Sequence, residues 1–113
     1  MVLSMRTAGL AWILAFSAGV QAQTFAGDVP MDEYLSLLDR LMPAARAGAD
    51  AYRAAFSSRC GRQMKTMELR KAMAEGDGDP ILMGMIRASH YRDQATLESL
   101  ALQVQCPGRK ASR

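Results

Sequence analysis

Residues 79–105 read DPILMGMIRASHYRDQATLESLALQVQ, and this stretch decides how the chain folds. Asp79 is a good helix N-cap, because a short carboxylate can accept the N–H groups that a first turn leaves unpaired. Pro80 follows at the first helical position, where a missing N–H costs nothing. At about 100° per residue, one face collects Leu82, Met83, Ile86, Leu97, Leu100, Ala101 and Val104. Arg87, Gln94, Glu98 and Gln105 fall on one flank; Ser89, Arg92, Thr96 and Gln103 fall on the other. The spacing therefore predicts one amphipathic helix over 79–105 that needs a partner surface. Cys106-Pro107-Gly108 ends it. His90 and Asp93 interrupt the apolar face at i and i+3, close enough to touch, and are expected at a helix–helix contact or its rim.

Upstream, the patterning is again helical. Pro30 opens a helix whose first turn carries Asp32 and Glu33 at the positive end of its dipole. Tyr34, Leu35, Leu38, Leu41 and Met42 form its apolar stripe, and Pro43 kinks or restarts it. Residues 44–57 are Ala-rich and strongly helix-favouring. Ala45, Ala49, Tyr52 and Phe56 share one face, and Arg46, Asp50 and Arg53 share another that reads as solvated. Ser57-Ser58-Arg59-Cys60-Gly61 looks like a joint, followed by a helix over 62–75 and a Gly-rich turn. The expected fold is all-α, a small three- to four-helix bundle or helical hairpin with neighbours antiparallel.

The first 22 residues have the pattern of a secretory signal peptide. Arg6 supplies the positive charge, Leu10, Trp12, Ile13, Leu14 and Phe16 lie in a short apolar core, and Val20-Gln21-Ala22 suits cleavage. The apolar run is short for a membrane span of about 20 residues. Cleavage would leave about 90 residues, one small domain with limited burial. The expected organisation is a leader at 1–22, a linker at 23–29, a single helical domain at 30–108 and a basic flexible tail at 109–113. The expected location is the periplasm or the secreted medium, with no stable membrane insertion after cleavage.

Of the 113 residues two are cysteines, Cys60 and Cys106. An even count in an exported chain implies a disulfide, and only one intramolecular pairing exists. No C-x-x-C supports a redox-active alternative. The disulfide constrains the fold. If 44–75 were one unbroken helix antiparallel to 79–105, Cys60 would lie opposite a residue near 95. Cys106 would then sit roughly 16 Å farther along the axis, whereas a disulfide needs Cα atoms within about 7 Å. Either the backbone leaves the helix between Ser57 and Arg62, or the last turn before Cys106 unwinds.

Charge excludes some functions. The whole chain carries a net +3, and Arg109, Lys110 and Arg113 lie in the tail. The helical body is therefore near neutral, which with few aromatic residues argues against nucleic-acid binding. His90 is the single histidine. Asp93 could orient it, but Ser89 lies about 100° away around the helix and does not face the imidazole. No enzymatic set follows, and no cofactor is implied. Glu75, Asp77 and Asp79 alternate as in a calcium loop, but Pro80 and Ile86 occupy the positions that need Gly and a bidentate Glu. Methionine is abundant, with nine residues. Met64 and Met67 at i, i+3 would place two thioethers on one helical side, a set that with His90 could hold Cu(I). Met83 and Met85 lie about 160° apart and cannot both join one site. Methionine also suits helical cores and adaptable protein surfaces. The leading expectation is a small exported protein that binds another envelope or secreted protein as inhibitor, adaptor or chaperone-like factor. His90 and Asp93 are its candidate binding face. Cu(I) binding through Met64, Met67 and His90 is the alternative.

Overall fold

The computed structural model describes residues 29–108; the expected leader, most of the linker and the basic tail lie outside the described residues. These residues are all helical, with five helices and no strand: α1 (Met31–Leu41), α2 (Pro43–Cys60), α3 (Thr66–Ala74), α4 (Pro80–His90) and α5 (Gln94–Ala101). The count exceeds the expected three to four because the 79–105 stretch is two helices, broken at Tyr91–Asp93.

Short-range chemistry sets most boundaries. Asp79 caps α4 as its sequence suggests: Oδ1 accepts from the N–H of Ile81 at 2.8 Å and of Leu82 at 3.2 Å. Pro43 stands at the start of α2, and Met42 before it is extended (φ −161°), as the residue preceding a proline prefers. The joint lies at the far edge of where it was expected. α2 continues through Ser57, Ser58 and Cys60 and stops at Gly61, in the left-handed region at φ 72°. α3 begins at Thr66, later than expected. Arg62 grips Glu68 with two hydrogen bonds, at 2.7 and 2.8 Å, and its guanidinium lies 4.8 Å from the Phe56 ring centroid. Residues 62–65 are thereby held as a strap rather than a helical turn.

Both geometric escapes from the disulfide conflict occur. α2 ends at Cys60, and α5 ends at Ala101, well before Cys106. The two cysteines are bonded, with Cα atoms 5.6 Å apart across a sequence separation of 46. Arg59 Nε donates to the Val104 carbonyl at 2.7 Å and ties the same ends together.

The core lies chiefly between α2 and α4, with α1 against α2 and α5 against α4. Phe56, Leu69, Leu82, Met85 and Val104 are its largest fully buried side chains. The buried face of α4 is Leu82, Met85 and Ala88; Met83 and Ile86, expected there, are half-buried flanks packed against the core. α5 has no fully buried residue. Gly48 lies at a close α2–α4 approach: a Cβ there would lie 2.6 Å from the Ile86 Cα. Tyr52 is buried beneath the α4 N-terminus and donates to Asp79 Oδ2 at 3.2 Å. Burial and the neighbouring Asp79 carboxylate push its phenol well above the ordinary value.

Candidate functional site

The α4–α5 turn carries the residues that broke the sequence pattern. Asp93 N–H donates to the Ala88 carbonyl at 2.8 Å and Arg92 N–H to the Ser89 carbonyl at 3.2 Å. These two bonds form a Schellman motif, whose left-handed position is usually glycine. Here it is Arg92, at φ 54°, the one non-glycine residue with positive φ among those described. Asp93 then caps the next helix, its carboxylate accepting from both the N–H and the hydroxyl of Thr96. The Thr96 hydroxyl bond, with the backbone bond, holds the Asp93 carboxyl below its usual range.

His90 and Asp93 are therefore not at a helix–helix contact. Both are exposed, and each partners a close sequence neighbour. The His90 ring meets Tyr91 edge-on, with centroids 5.0 Å apart and planes at 77°. Tyr91 is 73% exposed, and Arg87 and Arg92 are exposed beside it. The turn thus presents a tyrosine, a histidine and two arginines on a backbone closed by its own hydrogen bonds. Tyrosine and arginine dominate the energetics of protein interfaces, because each offers large contact area together with a polar group. Sequence reasoning picked His90 but missed Tyr91 and Arg92. A helix-breaking signal at 91–93 would have exposed them.

The methionine set is divided between core and surface. Met64 lies in the non-helical strap and is buried in the core, so helical i, i+3 spacing does not apply to it. Met67 is 45% exposed on α3, and its sulfur accepts from Arg70 Nη1 at 3.6 Å. His90 stands exposed at the end of α4. Among the described residues no group of three or more His, Cys, Asp or Glu side chains is arranged to hold a metal ion. The charged face of α2, expected to be solvated, is half-buried: Asp50 bonds to Arg46 at 2.9 Å and to Arg53 at 3.5 Å, and Arg53 Nε is buried without a hydrogen-bond partner among the described residues.

A second feature had no counterpart in the sequence reading. The outward side of α1 and Arg70 of α3 enclose an open cleft of about 530 Å³. Val29, Asp32, Glu33, Tyr34, Ser36, Leu37 and Arg40 line it. Partial burial raises the Tyr34 phenol, a shift that the nearby Arg70 charge opposes. No described helix is long and apolar enough to cross a membrane. No known protein family, characterised protein or solved structure matches this chain.

Proposed function

We propose that this chain is a small exported protein, periplasmic or secreted, that works by binding another protein as an inhibitor, adaptor or chaperone-like factor. The observation that carries the reading is the α4–α5 turn. Arg92 occupies a position where glycine would be about 1 kcal/mol less strained, and it does so beside the most solvent-exposed tyrosine of the described residues. Strain kept at an exposed position is a reason to look for function there. Two arginines and a histidine give the turn the chemistry to meet an acidic surface, with Tyr91 as the aromatic anchor. The apolar, small-residue-rich leader and the Cys60–Cys106 disulfide support export to an oxidising compartment.

The test is affinity capture from envelope extract with the wild-type protein, Tyr91→Ala and Arg92→Gly side by side. One partner retained by wild type should be lost or strongly reduced with both variants, while their circular dichroism stays native-like and neither melts below wild type. A partner retained equally by all three proteins overturns the assignment of this turn. Mass spectrometry of the exported protein should also give a chain beginning at Gln23 and lighter by two hydrogens for the disulfide. A chain retaining residues 1–22 contradicts the proposed leader.

A further inference from the structure

We infer that the α1 face bordering the cleft is a docking surface for a second copy of this chain, paired antiparallel across a two-fold axis at Leu37. The face is exposed and carries two apolar side chains. Leu37 is 42% exposed and Leu41 is 74% exposed, at i and i+4, while Leu35 and Leu38 on the opposite side fill the core. Glu33 and Arg40 flank Leu37 along the same outward stripe, within about 20° of each other around the helix axis. Both are exposed, and neither is ion-paired to another described residue.

The spacing of these charges selects the occupant. At about 1.5 Å per residue, Glu33 lies about 6 Å to one side of Leu37 along the axis and Arg40 about 4.5 Å to the other. A two-fold axis perpendicular to α1 near Leu37 reverses that order in the partner. Each Glu33 then faces the other copy's Arg40, and Leu37 meets its own counterpart between the two ion pairs. Such self-complementarity is what an isologous interface requires, since one patch must serve both sides. A parallel pairing would set Glu33 against Glu33 and Arg40 against Arg40, which like-charge repulsion disfavours. Leu41, the most exposed large apolar side chain of the described residues, falls towards the partner's Val29 end, where the cleft wall can cover it. The surface is separate from the α4–α5 turn, so a dimer would display two copies of that turn.

Charge-swap rescue in sedimentation equilibrium of the full chain as the cell processes it, from about 10 µM to about 1 mM, tests the pairing. The wild type should dimerise. Glu33→Arg and Arg40→Glu should each weaken the dimer about tenfold or more, because each turns two attractive contacts into two repulsive ones. The double variant E33R/R40E should recover the wild-type constant, since it restores both pairs with reversed sign. Both positions are exposed, and each single variant serves as a control should the other lose its native circular dichroism. A wild-type chain that is monomeric throughout, as when the residues preceding Val29 cover the cleft instead, overturns the inference. So does a dimer indifferent to the single swaps, or one that the double swap fails to restore.

Discussion

Gly48→Ala should destabilise the protein, although the same change in most helices would stabilise it. Alanine is favoured over glycine in a helix interior by about 1 kcal/mol. At Gly48 that gain meets a wall, because the added Cβ would lie 2.6 Å from the Ile86 Cα and 2.7 Å from its backbone nitrogen. Backbone atoms cannot rotate away, so α2 and α4 would have to separate along the contact that holds most of the core. Overpacking of this kind costs about 1–3 kcal/mol, and a backbone clash belongs at the upper end. The net expected loss is about 1–2 kcal/mol, a fall in melting temperature of roughly 5–10 °C for a domain of this size. Gly84→Ala is the internal control. Its Cβ would meet the Leu100 Cδ1 at 2.9 Å, but Leu100 is half-buried and its chain end can turn aside. The propensity gain then offsets the crowding, and the variant should lie within about 0.5 kcal/mol of wild type. Thermal unfolding by circular dichroism of the three proteins decides the matter. A Gly48→Ala variant melting at or above wild type would refute the close α2–α4 approach.

Four further outcomes follow from other contacts. Asp79→Ala should cost about 2–4 kcal/mol, because it removes a helix cap and leaves the buried Tyr52 hydroxyl without its acceptor, whereas Asp93→Ala removes only an exposed cap and should cost clearly less; comparable melting of the two would contradict this ranking. Arg92→Gly should gain about 0.5–1 kcal/mol, the relief of left-handed strain less the added freedom of glycine in the unfolded chain, and a loss in urea unfolding would argue against the Schellman geometry. The Glu68 carboxyl is pushed down to about 2, chiefly by its hydrogen bonds from Arg62. Its stabilising effect is thus complete above the usual carboxylate range and disappears as pH falls from about 5 towards 2, so Glu68→Gln should flatten that part of the acid-unfolding curve. Removing the disulfide with Cys60→Ser and Cys106→Ser should cost about 4 kcal/mol, the chain-entropy value for a loop of this length; unchanged melting would mean that the ends are held without it.

What the sequence disclosed follows from the range over which each signal acts. Asp79-Pro80 and Pro43 act through their own backbone, so the starts of α4 and α2 were legible directly. The disulfide was legible by elimination, and its geometry correctly demanded a break near Gly61 or before Cys106. The α4–α5 break was not legible, because the residue taking the left-handed turn is arginine. Asp93 looked like an interruption of an apolar face because its other role, capping a helix, shows only once the break is known. The start of α3 depended on Arg62 reaching Glu68 and Phe56, a tertiary arrangement that overrides local propensity. Met64 moved from a helical site to the core for the same reason. The cleft on α1 escaped notice because Glu33, Leu37 and Arg40 resemble any solvated face until the position of Arg70 is known.

The Cys60–Cys106 bond closes a ring that contains α3, α4 and α5 and leaves α1 and almost all of α2 outside it. Under tension applied to the two ends of the chain, the load crosses from Cys60 to Cys106 through sulfur and bypasses everything between. The 46-residue separation represents about 160 Å of contour that cannot be drawn out while the bond is intact. Pulling would peel α1 and then unravel α2 from its proline end, stripping from α4 the surface that holds most of the core, while the ring itself could not be drawn out. Reduction would return that hidden length to the chain, so the same molecule would be short and stiff when oxidised and long and extensible when reduced.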